Sequence, residues 1–497
     1  LIDKELLKET LAAALACGGD FAEVFVESRQ VTGIGLEGGK VERMQSGAEA
    51  GAGVRVLAGE ATAYAHTNDL SRDGLLRAAR IAARALDQGL KKYITLDLTT
   101  LRPPVSFAVQ QPPETVPAAR KAEMVMAADQ SARAVDEAVI KQVMVGYGDL
   151  VQDVVIANSA GVHVEDRRVR TRVVVNAVAA ANGVMQTGTE AAAGVMGFEL
   201  CERHDPAEMG AVAARRAKAL LTAKPAPSGR MPVVLAGTAG GTMVHEACGH
   251  GLEADLVQKG LSVYGGKLGQ EVAAPSVTVE DDPTLPGRYG SYAFDDEGTP
   301  ARPVTLIKNG VLVDYLYDRL SATKDKRESN GHGRRESYHH KPLPRMGNTY
   351  IAAGRDDPEE IIREAGEGLL VRKMGGGQVN TTTGDFVFEV AEGYLIRDGE
   401  IGPMVRGATL TGNGPEVLRR VSMVGGDLGF TIGTCGKDGQ GVPVSDAQPT
   451  MLLGRRGEDV PIVVGGTQAT GADRASRAVE ALDPWGPEFR LRRIRRL

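Results

Sequence analysis

The sequence predicts an α+β fold, with an N-terminal α/β domain of short strands and amphipathic helices followed by a strand-rich C-terminal domain that carries one distinctive helix. Three observations predict it. Helical and strand periodicities alternate in the first half, whereas strand signals dominate the second. The 63 glycines in 497 residues call for many turns and bulges, as in strand-rich folds with tight connections. Aromatic content is only 4% against 42% hydrophobic, so Val, Leu, Ile and Ala must fill the core. At this length two or more domains are expected. The run Ala223-Lys224-Pro225-Ala226-Pro227-Ser228-Gly229 is the best boundary. It divides the chain into 1–224 and 225–497, with a sub-boundary near 100–113.

The elements follow in order. A first helix runs from about Lys4 to Cys17, with Leu6, Leu7, Leu11 and Leu15 on one side. Short strands are expected over Phe21 to Glu27, Val31 to Leu36, Gly51 to Leu57 and Ala61 to His66. Ser71 to Gln88 is amphipathic, turning Leu75, Ala79, Ala82 and Leu86 inward and Arg77, Arg80 and Arg84 outward. Pro103-Pro104 and Pro112-Pro113 bracket a connector, and a helix spans about Thr115 to Val135. Asn182-Gly183, between Val173–Ala181 and Val184–Thr187, predicts a type I′ hairpin. A helix over Pro206 to Leu221 closes the N-terminal domain. Beyond the boundary the helices are few: the one described next, and Pro358 to Gly366. No short-period repeat is evident.

The chemistry concentrates in His245-Glu246-Ala247-Cys248-Gly249-His250. Two imidazoles can ligate a zinc ion, and a carboxylate beside the first can handle the proton of an attacking water. Common zinc proteases place their histidines four apart, on one helix face. A five-residue step in a regular α-helix lands about 140° away. One π-type turn would bring the rings back together, and such bulges favour functional sites. Gly249 sits where the backbone would have to give. Only eight histidines occur in the chain, so this pairing is not crowding. Glu246 lies among small and apolar residues, where a carboxylate costs free energy unless it is used. The strand-like Met231–Ala236 feeds through Gly237 into this metal-binding helix of the C-terminal domain.

A catalytic zinc usually keeps three protein ligands and an open position. The candidates for the third are Cys435, flanked by Gly433-Thr434 and Gly436 in an expected turn, Cys248, Glu253, and His339 or His340. A lone cysteine is by default a small buried hydrophobe, which suits Cys17 and Cys201. The glycine-rich surroundings of Cys435 argue against plain core packing. Arg335, Tyr338, His339, His340 and Arg345 are oxyanion or substrate donors by chemical type.

Composition excludes other classes. A net charge of −6 argues against broad nucleic-acid binding. Four cysteines without close pairing suit a reducing compartment. No segment approaches the ~20 apolar residues of a membrane span. Leu1-Ile2-Asp3-Lys4-Glu5 is not a signal peptide, and without an initial Met some upstream sequence is expected to be missing. Gly237 to Thr242 resembles a phosphate loop but has no Walker lysine, so a tight strand-to-helix turn is expected. Asp295-Asp296-Glu297-Gly298 lacks the alternating oxygens of a calcium loop and reads as a solvated turn. The basic tail Phe489 to Leu497 reads as a terminal strand or helix packing its Leu and Ile residues.

The motifs also carry a family likeness. Val244 to Glu253, Gly331 to Tyr338, Pro344 to Tyr350, Gly375 to Asn380 and Gly433 to Gln440 resemble the signatures of the TldD/PmbA metalloproteases. Within that family the TldD branch carries the metal motif and the PmbA (TldE) branch lacks it, so the likeness is to the catalytic branch. The resemblance implies one Zn2+ per catalytic chain, held by His245, His250 and Cys435, with Glu246 passing a proton to the leaving amine. It implies cytoplasmic hydrolysis of unfolded or flexible peptides, including leader removal from modified peptides and degradation of unfolded antitoxin. It also implies a dimer, with a PmbA/TldE-type paralogue or with itself, whose cleft admits extended chains; glycines allow tight backbone approach, so Gly375-Gly376-Gly377 is expected to form one wall. A regulatory zinc protein without hydrolytic activity is the alternative, and it leaves Glu246 unexplained. His339-His340 departs from the family pattern, at positions that are variable.

Overall fold

A computed structural model describes residues 2–86, 89, 94–454 and 462–466. The first half is built on one antiparallel sheet whose strands are longer than expected. Phe21–Glu37 is a single strand, as are Lys40–Ala58, Ile140–Asn158 and Val162–Ala181. The expected break between Glu27 and Val31 does not occur, because Ser28–Gln30 pair on both sides, with Gln152-Asp153 neighbours and with Ala48–Ala50. Polar residues in a doubly paired strand keep the ladder even where the hydrophobic signal lapses. Asn182 and Gly183 have φ of 51° and 77°, as a type I′ turn requires. The turn joins Val162–Ala181 to the edge strand Val184–Gly194.

Strand alternation sorts the two faces of this sheet. Val24, Val26, Val155 and Ala157 pack under the helices Lys4–Leu15 and Arg72–Ala85. Farther along the same face, Ile34, Val145, Val173 and Val175 pack under Ala118–Ala134 and Pro206–Thr222. Asp3, Ser71 and Asp205 cap three of these helices by accepting backbone N–H bonds. The opposite face carries Glu23, Phe25, Glu27, Arg55, Arg168 and Arg170. It is buried too, against the C-terminal half.

That contact combines an apolar cluster, with Phe25, Ile156 and Val164 against Phe294 and Tyr338, with buried ion pairs. Arg55, 1% exposed, reaches Glu297 at 2.5 Å; Arg335 reaches Glu23 at 2.5 Å; Arg168 reaches Asp296 at 2.5 Å. Glu27 accepts the Tyr338 N–H at 2.7 Å, and the Tyr338 ring lies over Gly51, where a Cβ would stand 2.3 Å from it. Asp295-Asp296-Glu297 is therefore not a solvated turn. Asp296 and Glu297 are buried because the N-terminal sheet brings the arginines that pair them, and Asp295 is satisfied by backbone N–H groups. The basic tail lies outside the described residues.

In the C-terminal half, one six-stranded sheet runs Val311–Leu312, Val304–Lys308, Val279–Asp281, Asn348–Ile351, Gln440–Gln448, Gly429–Lys437, the last at the edge. A ten-stranded sheet holds Val233–Leu235 between Met451–Leu453 and the long Gly368–Val379. Val233–Leu235 leads through a short 3₁₀ turn, Gly237–Ala239, to Thr242–Val244, which is the expected tight turn and not a phosphate cradle. The metal-motif helix packs against strands of both sheets and joins their common core.

The ionic seam has a measurable consequence. Arg55→Ala would leave Glu297 and Asp318 buried without their cation, costing about 3–5 kcal/mol, while Glu23 keeps Arg335. Urea unfolding of the variant should show a clearly lowered midpoint, and the double variant Arg55→Met/Glu297→Met should recover much of it. An Arg55→Ala protein as stable as the parent would show that the seam does not hold the halves together.

Candidate metal centre

The geometry of the motif follows from a wide turn. Residues His245–Gly249 form a π-helical turn, and the His250 N–H donates to the His245 carbonyl five residues back. That closes the 140° gap. The two rings sit 4.9 Å apart, centroid to centroid, and perpendicular at 89°. The Tyr264 hydroxyl donates to the Ala247 carbonyl at 2.9 Å, satisfying an acceptor inside the turn. Gly249 is needed for a different reason from the one expected. Its φ of −51° is helical, but a Cβ there would meet the Met346 sulfur at 2.2 Å.

Cys435 completes a triangle. Its expected turn is instead the edge strand Gly429–Lys437, paired to Gln440–Gln448, with Cys435 opposite Val442. The buried thiol, 3% exposed, points to the helix, toward His250. Cys435 Sγ lies 3.6 Å from His250 Nε2, and the ligand atoms of His245, His250 and Cys435 lie within 4.8 Å of one another. Tetrahedral zinc with ordinary Zn–S and Zn–N bonds would set S and N about 3.6 Å apart. The residues therefore fit such an ion. The other candidates for third ligand lie elsewhere. Cys248 donates to its own helix at the Val244 carbonyl, and burial pushes its thiol up to about 12. His339 bonds Glu49 and His340 bonds Ser337.

Two carboxylates aim the imidazoles. Asp446 lies 2.8 Å from His245 Nδ1, and Glu253 lies 3.2 Å from His250 Nδ1. With Nδ1 engaged, Nε2 of each ring is left to face the centre, the usual outer support of a metal-binding histidine. Glu253 is thus an orienting group and not a ligand. It is itself held by Lys437 at 3.1 Å, and Lys437 also bonds Asp255 at 2.6 Å. Burial raises the Cys435 thiol, but His245 and His250 outweigh it and hold the thiol well below its usual range. A thiolate and two outer carboxylates make this pocket favourable for a cation.

Glu246 stands apart. Burial raises its carboxyl above the usual range, against the pull of His245 and His250. Among the described residues no hydrogen bond or ion pair engages it, and it lines a cavity of about 730 Å3. The edge strand of the N-terminal sheet contributes Thr189–Ala193 to one wall, and Phe430–Cys435 forms another. Gly375 and Gly376 line it as expected; Gly377 does not.

The five donor candidates are not on this wall. Arg335 is spent on Glu23, Tyr338 on Glu49 and Glu27, His339 on Glu49 and His340 on Ser337. Arg345 donates to the Cys435 and Gln440 carbonyls, so it braces the hairpin behind the thiol. Arg335, Tyr338 and His339 build the seam between the halves. Arg288 was not foreseen: it lines the cavity with its guanidinium 3.9 Å over the Phe430 ring. Neither was Asp446, which lies 201 residues from its partner in an ordinary strand and gives no local signal.

Comparison with known proteins agrees with this geometry. Residues 22–86, 111–221 and 228–456 match, in order, domain 1, the central domain and the C-terminal domain of the PmbA/TldA metallopeptidases. The chain is 35% identical over 457 residues to the metalloprotease TldD homolog of Haemophilus influenzae, covering 90% of this chain and 93% of that one. It is 36% identical over 438 residues to a metalloprotease of Methanothermobacter thermautotrophicus, covering 87% and 94%. A zinc metalloprotease TldD homolog of Saccharolobus solfataricus is 32% identical over 230 residues, 46% of this chain and 51% of that one. Among solved structures, a proposed modulator of a DNA gyrase from Thermotoga maritima superposes with a TM-score of 0.75 at 25% identity, covering 93% of this chain and 99% of that one. TldE from Thermococcus kodakarensis shares the fold, with a TM-score of 0.70 at 18% identity over 90% and 99% of the two chains. With three consecutive domains matched and its metal motif intact, the chain belongs to the PmbA/TldD metallopeptidase family, on the TldD side.

Proposed function

We propose that the chain is a zinc-dependent peptidase of the cytoplasm that hydrolyses unfolded or flexible peptides, with one Zn2+ held by His245, His250 and Cys435. The observation that carries this reading is Glu246, a largely buried carboxylate on the cavity wall that has no hydrogen-bond or ion-pair partner among the described residues and stands beside three ligand-type side chains. A structural metal site needs no such group, so the regulatory alternative leaves it without a use. The zinc, when bound, supplies Lewis-acid polarisation of the scissile carbonyl and of water.

The chain's own groups do the rest. Asp446 and Glu253 hold the imidazoles in the tautomer that presents Nε2. Glu246 takes the proton from the attacking water and delivers it to the leaving amine, and its raised affinity for protons suits both halves of that transfer. Arg288, fixed over Phe430, supplies positive charge on the wall where negative charge develops. The cavity lies between the N-terminal sheet edge and the C-terminal half, which favours an extended chain over a folded domain. Assembly with a PmbA/TldE-type paralogue, or with a second copy, would restrict entry further.

Glu246→Gln should keep fold and metal but lower kcat by at least about 100-fold, the ordinary worth of a positioned general base. Turnover near the parent's, at unchanged zinc content, would remove Glu246 from that role. Cys435→Ser should lose zinc, while Cys248→Ser retains most of it, since a hydroxyl is a poor substitute for a thiolate. Metal analysis of the two purified proteins checks this, and the reverse pattern would place the third ligand in the helix. A peptide should be cut quickly when free and hardly at all when locked inside a stable domain. Equal rates for both forms, where global unfolding is negligible, would defeat steric selection.

A further inference from the structure

A second cavity, of about 80 Å3, lies at the seam between the N-terminal sheet and the hairpin that carries Cys435. Its walls are rich in arginine. Arg168 and Arg170, two apart on one strand, face it from the sheet, and Arg334 and Arg335 face it from the C-terminal half. The carboxylates on the same walls are already engaged. Asp296 takes Arg168 and the Arg335 N–H, and Asp295 accepts the N–H groups of Glu297, Thr299 and Gly333. Glu336 accepts the Gly441 N–H at 2.6 Å.

Two guanidiniums are left over. Arg170, 4% exposed, donates only to the Tyr289 and Ser291 carbonyls, at 3.3 and 3.1 Å. Arg334, also 4% exposed, donates only to the Met346 and Pro443 carbonyls, with its guanidinium 5.0 Å over the Tyr292 ring. Neither has a carboxylate partner among the described residues. Burial, together with Arg168 and Arg334 nearby, drops Arg170 to about 10, and burial lowers Arg334 as well. Asp296 nearby offsets part of that burial cost at both, but two buried guanidiniums with no carboxylate in contact still favour an anion that joins them. Guanidinium forks match the oxygen pairs of carboxylates and phosphates.

We propose that Arg170 and Arg334 form a binding site for a small oxoanion. Thr434 lines both this cavity and the metal cleft, and it is the residue before Cys435. The occupant is therefore either the terminal carboxylate of a peptide in the cleft or a free phosphate-like anion. The peptide source rests on the peptidase reading; the site itself does not.

The test uses the whole metal-loaded protein. Crystals grown with selenate should show its anomalous signal between Arg170 and Arg334. Inorganic phosphate should raise Tm saturably, with half-saturation about tenfold weaker in Arg170→Met and in Arg334→Met, the worth of one charge-assisted contact. Either variant suffices if the other fails to fold, and the selenate experiment needs neither. Peptides ending in a free acid or an amide then separate the sources. Phosphate that raises KM for the acid alone identifies the peptide carboxylate; a Tm response without that effect identifies the free anion. No selenate at the two arginines, no saturable phosphate response, or equal responses in parent and variants would each overturn the site. Because selenate and Tm are read without turnover, failure of the peptidase reading would leave them unaffected.

Discussion

Everything at the centre depends on one backbone constraint: two imidazoles five residues apart can share a target only if the helix between them widens. The widened turn leaves its own bonding pattern, the His250 N–H to His245 carbonyl bond, in place of the α-helical one. Such a turn is less favourable than regular helix and persists because its surroundings hold it. Tyr264 bonds the carbonyl of Ala247, Met346 occupies the space of the absent Gly249 side chain, and Asp446 and Glu253 clasp the two rings from outside. Glu253 follows the turn directly, but Tyr264, Met346 and Asp446 reach it from outside, so the turn is a product of the C-terminal core.

The second constraint is the ionic seam. A sheet whose one face is apolar would ordinarily turn its polar face to water. Here that face meets the C-terminal half through Arg55–Glu297, Arg335–Glu23 and Arg168–Asp296. Ion pairs of this kind add little net stability over apolar contacts, but their geometry is demanding, and a wrong alignment leaves charges buried and unpaired. The seam thus sets where the edge strand Val184–Gly194 lies relative to the Cys435 strand. Since the cleft is the space between those strands, its width follows from the seam.

The same logic separates reactive from inert groups. Cys248 and Cys435 are both buried, yet burial alone governs the first, while two imidazoles reverse its effect at the second. Glu253 and Glu246 lie seven positions apart around the same centre. One is locked by Lys437 and a histidine, and the other faces the cavity with no hydrogen-bond or ion-pair partner among the described residues. Role follows from what each side chain touches, not from its type.

Much of this was legible in residue order alone. The Asn182-Gly183 hairpin, the π turn and the His245-Glu246-His250 group are local, because turn geometry and helical spacing are decided within a few residues. Likeness of short motifs extended that reading to Cys435 and to the family. Other features needed the third dimension. Asp446, Arg288, the burial of Asp296 and Glu297 and the structural use of Arg335 and Tyr338 depend on partners a hundred or more residues away, and that of Arg345 on partners 90 and 95 residues away. A charged residue carries the same sequence signal whether it meets water or an opposite charge. Only packing decides which, because the desolvation cost and the paired attraction exist only once the two halves of the chain have closed on each other.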